Sequence, residues 1–107
     1  EKVEISPPTA DTATELYRII EERIINPEKG SYTNKLITNG DNMILKKIGE
    51  ETAEFIMACK DDQINSIKNE AADIIFHLQV ALASHKVTWR EVLEVLELRK
   101  GAPRRNE

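Results

Sequence analysis

Two groups of acidic residues stand at helical spacing inside otherwise apolar sequence. They are Glu50, Glu51 and Glu54 in "GEETAEF", and Glu70 and Asp73 in "NEAADIIFH", with His77 one turn further on. Positions three and four apart share one side of an α-helix, so Glu51 and Glu54 form a stripe, with Glu50 at its edge and Lys47 a turn earlier. Glu70, Asp73 and His77 form a second stripe in the same way. Only "KDDQ" separates the two segments, short enough to force an antiparallel hairpin that brings the stripes together. Carboxylates aimed from two neighbouring helices at one point suit a hard divalent cation. Magnesium takes oxygen ligands at about 2.0–2.1 Å in near-octahedral geometry, and commonly keeps waters and substrate phosphates in the remaining positions. The ExxE and ExxD pairs supply such oxygens. Without a cation, the converging charges would repel and push one another's pKa values up.

Glu, Asp and Lys at these intervals are also ordinary on a solvated helix face. The neighbours argue against that reading here. Ala53, Phe55, Ile56, Ala71, Ala72, Ile74 and Ile75 surround the acids and leave little free solvent face on either helix. His77, beside "IIF", is expected to be a satisfied core or supporting residue rather than a metal ligand.

The rest of the chain must hold these residues in place. Its 107 residues suit one domain, and 40% hydrophobic with 32% charged residues describe a folded chain with few helix breakers. Aromatics are 5%, so the core is expected to be aliphatic. A net charge of −4 removes any broad electrostatic footprint for nucleic acid or an anionic membrane, so an anionic ligand needs local cations. The single Cys59 cannot form an intrachain disulfide, which fits a reducing compartment, and no apolar run approaches a membrane span. A cytoplasmic protein is expected.

Residues 1–10, with two consecutive prolines, read as a leader or linker, and residues 102–107 as a flexible tail. Between them, residues 11–101 read as one all-α domain, an antiparallel bundle of four to five helices. The first helix starts near Asp11 and stops at Pro27; a polar loop follows, with one short helical turn over residues 34–38. The second long helix is expected over residues 42–60, burying Ile44, Ile48, Phe55, Ile56 and Cys59. Asp62 is expected to cap a third over residues 63–84, whose seam would be Ile64, Ile67, Ala71, Ile74, Leu78 and Ala81. Thr88 and Glu91 form a capping box for a last helix closed by Gly101. The third helix is apolar around much of its circumference, which predicts a homo-oligomer, most simply a dimer.

The segments "SYTNKLI", "DNMILKKIGEETAEFIMACKDD" and "NEAADIIFHLQVALA" resemble those of the phosphoribosyl-ATP pyrophosphohydrolases, a group within the MazG-like all-α nucleotide pyrophosphohydrolases. The resemblance covers about residues 11–101. The ExxE and ExxD pairs indicate the wider superfamily, while "SYTNKL" and "ILKKIGEE" narrow it. It implies a MazG-like bundle completed by oligomerisation, with Glu51, Glu54, Glu70 and Asp73 as magnesium ligands and Glu50 in support. It further implies hydrolysis of phosphoribosyl-ATP to phosphoribosyl-AMP and pyrophosphate, the second step of histidine biosynthesis, with Glu50 or Glu54 taking the proton of the attacking water. Lys35, Lys46 and Lys47 are the candidate phosphate partners, and Ser31, Tyr32, Thr33 and Asn34 candidate hydrogen-bonding groups for ribose or phosphate. A phosphoribosyl-AMP cyclohydrolase domain, fused to similar enzymes in some lineages, is the further partner the resemblance brings in. Two other readings remain open at this point. One is a house-cleaning nucleoside triphosphate pyrophosphohydrolase with the same metal site, and the other a non-catalytic helical module whose seam binds partner helices.

Overall fold

The computed structural model describes residue 8 and residues 11–101, so the expected leader and tail lie outside the described residues. Five helices follow in order: α1 (Thr12–Ile25), α2 (Tyr32–Asn39), α3 (Asp41–Lys60), α4 (Ile64–Ser84) and α5 (Trp89–Arg99). No strand occurs among the described residues. None of these helices is long and apolar enough to cross a membrane. The α3–α4 hairpin is the most extensive pairing; α1 lies against α4, α2 bridges α1 and α3, and α5 touches α1 alone at more than a glancing contact.

Ile20, Leu36, Ile44, Val80 and Ala81 form the sealed aliphatic core, with Leu16, Ile37, Ile48, Phe76 and Ala83 packed around it. The polar loop expected after α1 holds a full helix of eight residues rather than a single turn. Ser31 caps it by accepting from the Asn34 N–H, and Leu36 drives it into the core. Gly40 joins α2 directly to α3 at φ 96° and ψ 171°, a conformation only glycine adopts without strain. The capping box of α5 is present, with the Thr88 hydroxyl accepting from the Glu91 N–H and the Glu91 carboxylate accepting from the Thr88 N–H.

Three expectations need correction. Within the protomer, the buried line of α3 runs through Ile44, Glu51 and Ala58, leaving Ile56 and Cys59 exposed. On α4, Ile64 and Leu78 are exposed, and the line facing the rest of the chain runs through His77, Val80 and Ala81. Both helices are apolar over an arc wider than the chain covers, so helical periodicity alone allowed the facing line to be placed one stripe off. Finally, Asp62 does not cap α4. It sits at φ 54°, where its N–H donates to the Cys59 carbonyl and the next N–H, of Gln63, donates to the Ala58 carbonyl. That is a left-handed terminator of α3, a position Asp tolerates because its short polar side chain suits the conformation.

The end of α4 uses the same device at Lys86, φ 60°, where the N–H groups of Lys86 and Val87 donate to the carbonyls of Ala83 and Leu82. Lysine has no compensation for its Cβ crowding there. Lys86→Gly is therefore expected to stabilise the fold by about 1 kcal/mol, read as a melting temperature raised by about 4–8 °C; an unchanged or lower melting temperature would contradict the assigned turn.

Candidate active site

The antiparallel α3–α4 hairpin carries Glu51 and Glu70 towards one another at mid-length. A carboxylate oxygen of each, with one of Asp73, lies in a group whose members are all within 4.8 Å of one another. Glu51 is buried, Glu70 half-buried and Asp73 exposed, so the cluster opens from the bundle interior to its surface. Glu54 stands on the exposed side, near enough that its charge helps to raise the Glu70 carboxyl. Three of the four expected ligands thus converge directly, and the fourth flanks them.

The decisive feature is what these oxygens lack. Oε1 of Glu51 and Oε1 of Glu70 are sealed from solvent, and neither accepts a hydrogen bond. A sealed acceptor without a donor is unfavourable, and more so when charged. The His77 Nδ1 lies 2.6 Å from Oε1 of Glu51, yet its N–H points instead at the Asp73 carbonyl oxygen 2.9 Å away. The contact brings charge and dipole together without aligning them as a hydrogen bond. Burial of its oxygen, followed by the neighbouring charges of Glu54, Asp73 and Glu51, raises the Glu70 carboxyl above its usual range. Orphaned, sealed oxygens of hard donors in one cluster fit a divalent cation of the magnesium class.

The candidate substrate-binding residues are distributed differently. Lys46 and Lys47 reach the Glu50 carboxylate at 3.8 and 3.9 Å, so all three form a surface charge group one turn before the cluster. Lys35 is exposed on α2 and makes no ion pair among the described residues. Thr33 is buried beneath α2. Asn34 latches α2 to α1, donating to the Arg23 carbonyl and accepting from the Glu28 N–H. The Tyr32 hydroxyl points at the Nε2 of His77, 3.0 Å away, so α2 touches the hairpin just behind the acidic cluster. The residue pattern held no sign of that contact, because its partners are 45 positions apart. Gln79, fully buried with its amide donating to the Ala13 carbonyl, was likewise not anticipated.

Fold and cluster define a small helical-bundle protein with three carboxylates on one hairpin close enough together to share a cation. The sequence profile of the family described as phosphoribosyl-ATP pyrophosphohydrolase matches residues 13–100. A histidine biosynthesis bifunctional protein HisIE of Parasynechococcus marenigrum is 68% identical over 102 residues, 95% of this chain and 46% of that one. The HisIE protein of Thermosynechococcus vestitus is 53% identical over 90% of this chain and 45% of its own. A phosphoribosyl-ATP pyrophosphatase of Limosilactobacillus fermentum is 42% identical over 86 residues, 80% of this chain and 81% of that one. The chain belongs to the phosphoribosyl-ATP pyrophosphohydrolase family, and spans about half the length of its bifunctional relatives.

The raised pKa of Glu70 carries a sign. The folded state holds that proton more tightly than the unfolded chain, so its stabilising effect is complete at low pH and is lost as pH climbs from the ordinary carboxylate range to the raised value. At neutral pH and without divalent cation, Glu70→Gln is therefore expected to melt at or above the wild-type temperature, with the gap closing on acidification. Adding magnesium should raise the wild-type melting temperature and leave the variant nearly unmoved. A variant less stable than wild type throughout would mean that the cluster is not strained by its own charge.

Proposed function

We propose that this chain hydrolyses phosphoribosyl-ATP at its α–β phosphoanhydride, releasing phosphoribosyl-AMP and pyrophosphate in the second step of histidine biosynthesis. One observation carries the reading: sealed, unpartnered oxygens of Glu51 and Glu70 stand in one cluster with Asp73. The family description and the name borne by the Limosilactobacillus fermentum relative support the substrate. Glu51, Glu70 and Asp73, with Glu54 at their flank, would hold magnesium, which when bound neutralises triphosphate charge and acidifies water. Water attacks one phosphorus of the bridge, the bridging P–O bond breaks, and the water's proton passes to a carboxylate. Glu54 suits that last role, being exposed beside the cluster, whereas Glu50 is engaged by Lys46 and Lys47. Lys35, without an ion-pair partner among the described residues, and Lys47, one turn from Glu51, are the candidate cations for the phosphates.

Two partners complete this reading. Ile64, Ala71, Ile75, Leu78 and Leu82 recur at intervals of three, four and seven on α4, and Ile64, Ile75 and Leu78 are exposed, as are Ile56 and Met57 on α3. The radius of gyration, 15.7 Å, exceeds the roughly 13 Å of a compact domain this long. A second copy covering that stripe would finish the core. A phosphoribosyl-AMP cyclohydrolase unit is the other proposed partner, supported by the bifunctional names of relatives of which this chain matches about half. Both steps suit a cytoplasmic setting.

Pyrophosphate release should be fast with phosphoribosyl-ATP and magnesium, and slow with a panel of ordinary and noncanonical nucleoside triphosphates. Glu51→Gln, Glu54→Gln, Glu70→Gln and Asp73→Asn are each expected to lower turnover on the order of a thousandfold. Full activity in any two of them, or preference for another triphosphate, would overturn the assignment. Light scattering at micromolar concentration should return at least twice the 12.2 kDa of the chain, and a monodisperse monomer would remove the second copy.

A further inference from the structure

His77 is almost fully buried, and the cation chemistry proposed for the cluster makes no use of it. Its ring is pinned at both nitrogens. The partner of Nδ1 is a backbone carbonyl, which can only accept, so Nδ1 carries the proton. In the neutral ring Nε2 is then a bare acceptor, and the Tyr32 hydroxyl 3.0 Å away must donate to it. Tyr32 and the Asp73 carbonyl therefore select the same tautomer and the same orientation. The alternative tautomer would turn a lone pair on the Asp73 carbonyl and on the Glu51 carboxylate at 2.6 Å. Phe76 and Tyr32 close the remaining sides, each meeting the imidazole nearly edge-on. A ring held this firmly fixes the nitrogen that stands 2.6 Å from the Glu51 carboxylate.

We propose that Tyr32 is a positioning residue: through His77 it sets the Glu51 carboxylate for the divalent cation, and so ties α2, which carries Lys35, to the cation site on α3 and α4. The inference rests on the reading of Glu51 as a ligand. Groups that orient a ligand from behind typically alter metal affinity by about 10–100-fold when removed.

Tyr32→Phe is the discriminating variant, because it deletes only a hydroxyl and keeps the ring stacked on Phe76 at 6.0 Å. Apoprotein titrated with Mn2+, with the free ion followed by electron paramagnetic resonance, should bind about tenfold more weakly in this variant. The magnesium concentration for half-maximal pyrophosphate release should rise with it, with a smaller change in kcat at saturating magnesium. His77→Asn keeps a donor near the Nδ1 position but offers Tyr32 no acceptor, so adding Tyr32→Phe to it should cost nothing further. Wild-type Mn2+ affinity in Tyr32→Phe, even with a lower melting temperature, would reduce the hydroxyl to a structural role and overturn the proposal. A full additional loss in the double variant would overturn the route through His77. Glu51→Gln separates the two levels. If it binds Mn2+ as wild type does, the underlying assignment of Glu51 fails; if it loses binding while Tyr32→Phe retains it, only the present inference fails.

Discussion

Two carboxylates, Glu51 and Glu70, face each other across the α3–α4 seam with buried oxygens that accept no aligned hydrogen bond from the described residues. A helical hairpin would normally fill such positions with aliphatic side chains, because the seam is where apolar burial holds two helices together. Here the seam changes character along its length. Ile44 on α3 joins Val80 and Ala81 on α4 in a dry core backed by Ile20 and Leu36. Towards the turn at Asp61 and Asp62, Glu51 is the next buried position of α3, and Glu70 and Asp73 gather beside it from α4. The dry end holds the two helices in register while the middle remains strained by its own charge. Rigid support beside unpaired charge is what a cation site requires, since a flexible scaffold would relax the acids apart into solvent.

Viewed from that constraint, the smaller helices have distinct tasks. Two bonds from Asn34 and the burial of Leu36 lock α2 onto the bundle, and Gly40 leads straight into α3 without a loop. Tyr32 at the start of α2 is thereby placed against His77. On the other side, the Gln79 amide grips the Ala13 carbonyl, and the Tyr17 hydroxyl donates to the Val87 carbonyl at 2.7 Å, so α1 is tied to both ends of the last turns of α4. Contacts near the dry end thus determine where the acidic middle stands. α5 contributes least: none of its residues is buried, and a well-formed capping box rather than packing defines where it begins.

The acids were legible in the residue pattern because both members of each pair lie on one helix, where a spacing of three fixes their common side. The hairpin was legible because its connection is too short for anything else. Burial was less so. Ile56, Cys59, Ile64 and Leu78 sit at helical spacing with truly buried residues, but periodicity records which side is apolar and not which covering it receives. Asp62 misled for a related reason, since Asp serves equally as an N-cap and as a left-handed terminator, and only the hydrogen bonds of Asp62 and Gln63 distinguish them. Thr33 and Asn34 read as free polar groups of a loop because no residue spacing records that α2 folds inward over Leu36. The link from Tyr32 to His77 is a tertiary fact that no local pattern encodes.

α4 meets three demands at once. Glu70, Asp73 and His77 serve the site, Val80 and Ala81 serve the core, and Ile64, Ile75 and Leu78 form an apolar stripe left open by the protomer. These sets interleave at adjacent positions, so a change aimed at one alters the neighbours of another. Ile74 illustrates the point: it stands one turn beyond Glu70 on the same side of α4, and a polar residue there would bring water towards that carboxylate as well as loosen the packing. Hydration would relieve the very desolvation that strains Glu70. The apolar neighbours of Glu70 are consequently part of the electrostatics of the candidate site, because any hold of such carboxylates on a cation would depend on how little water competes for the charge.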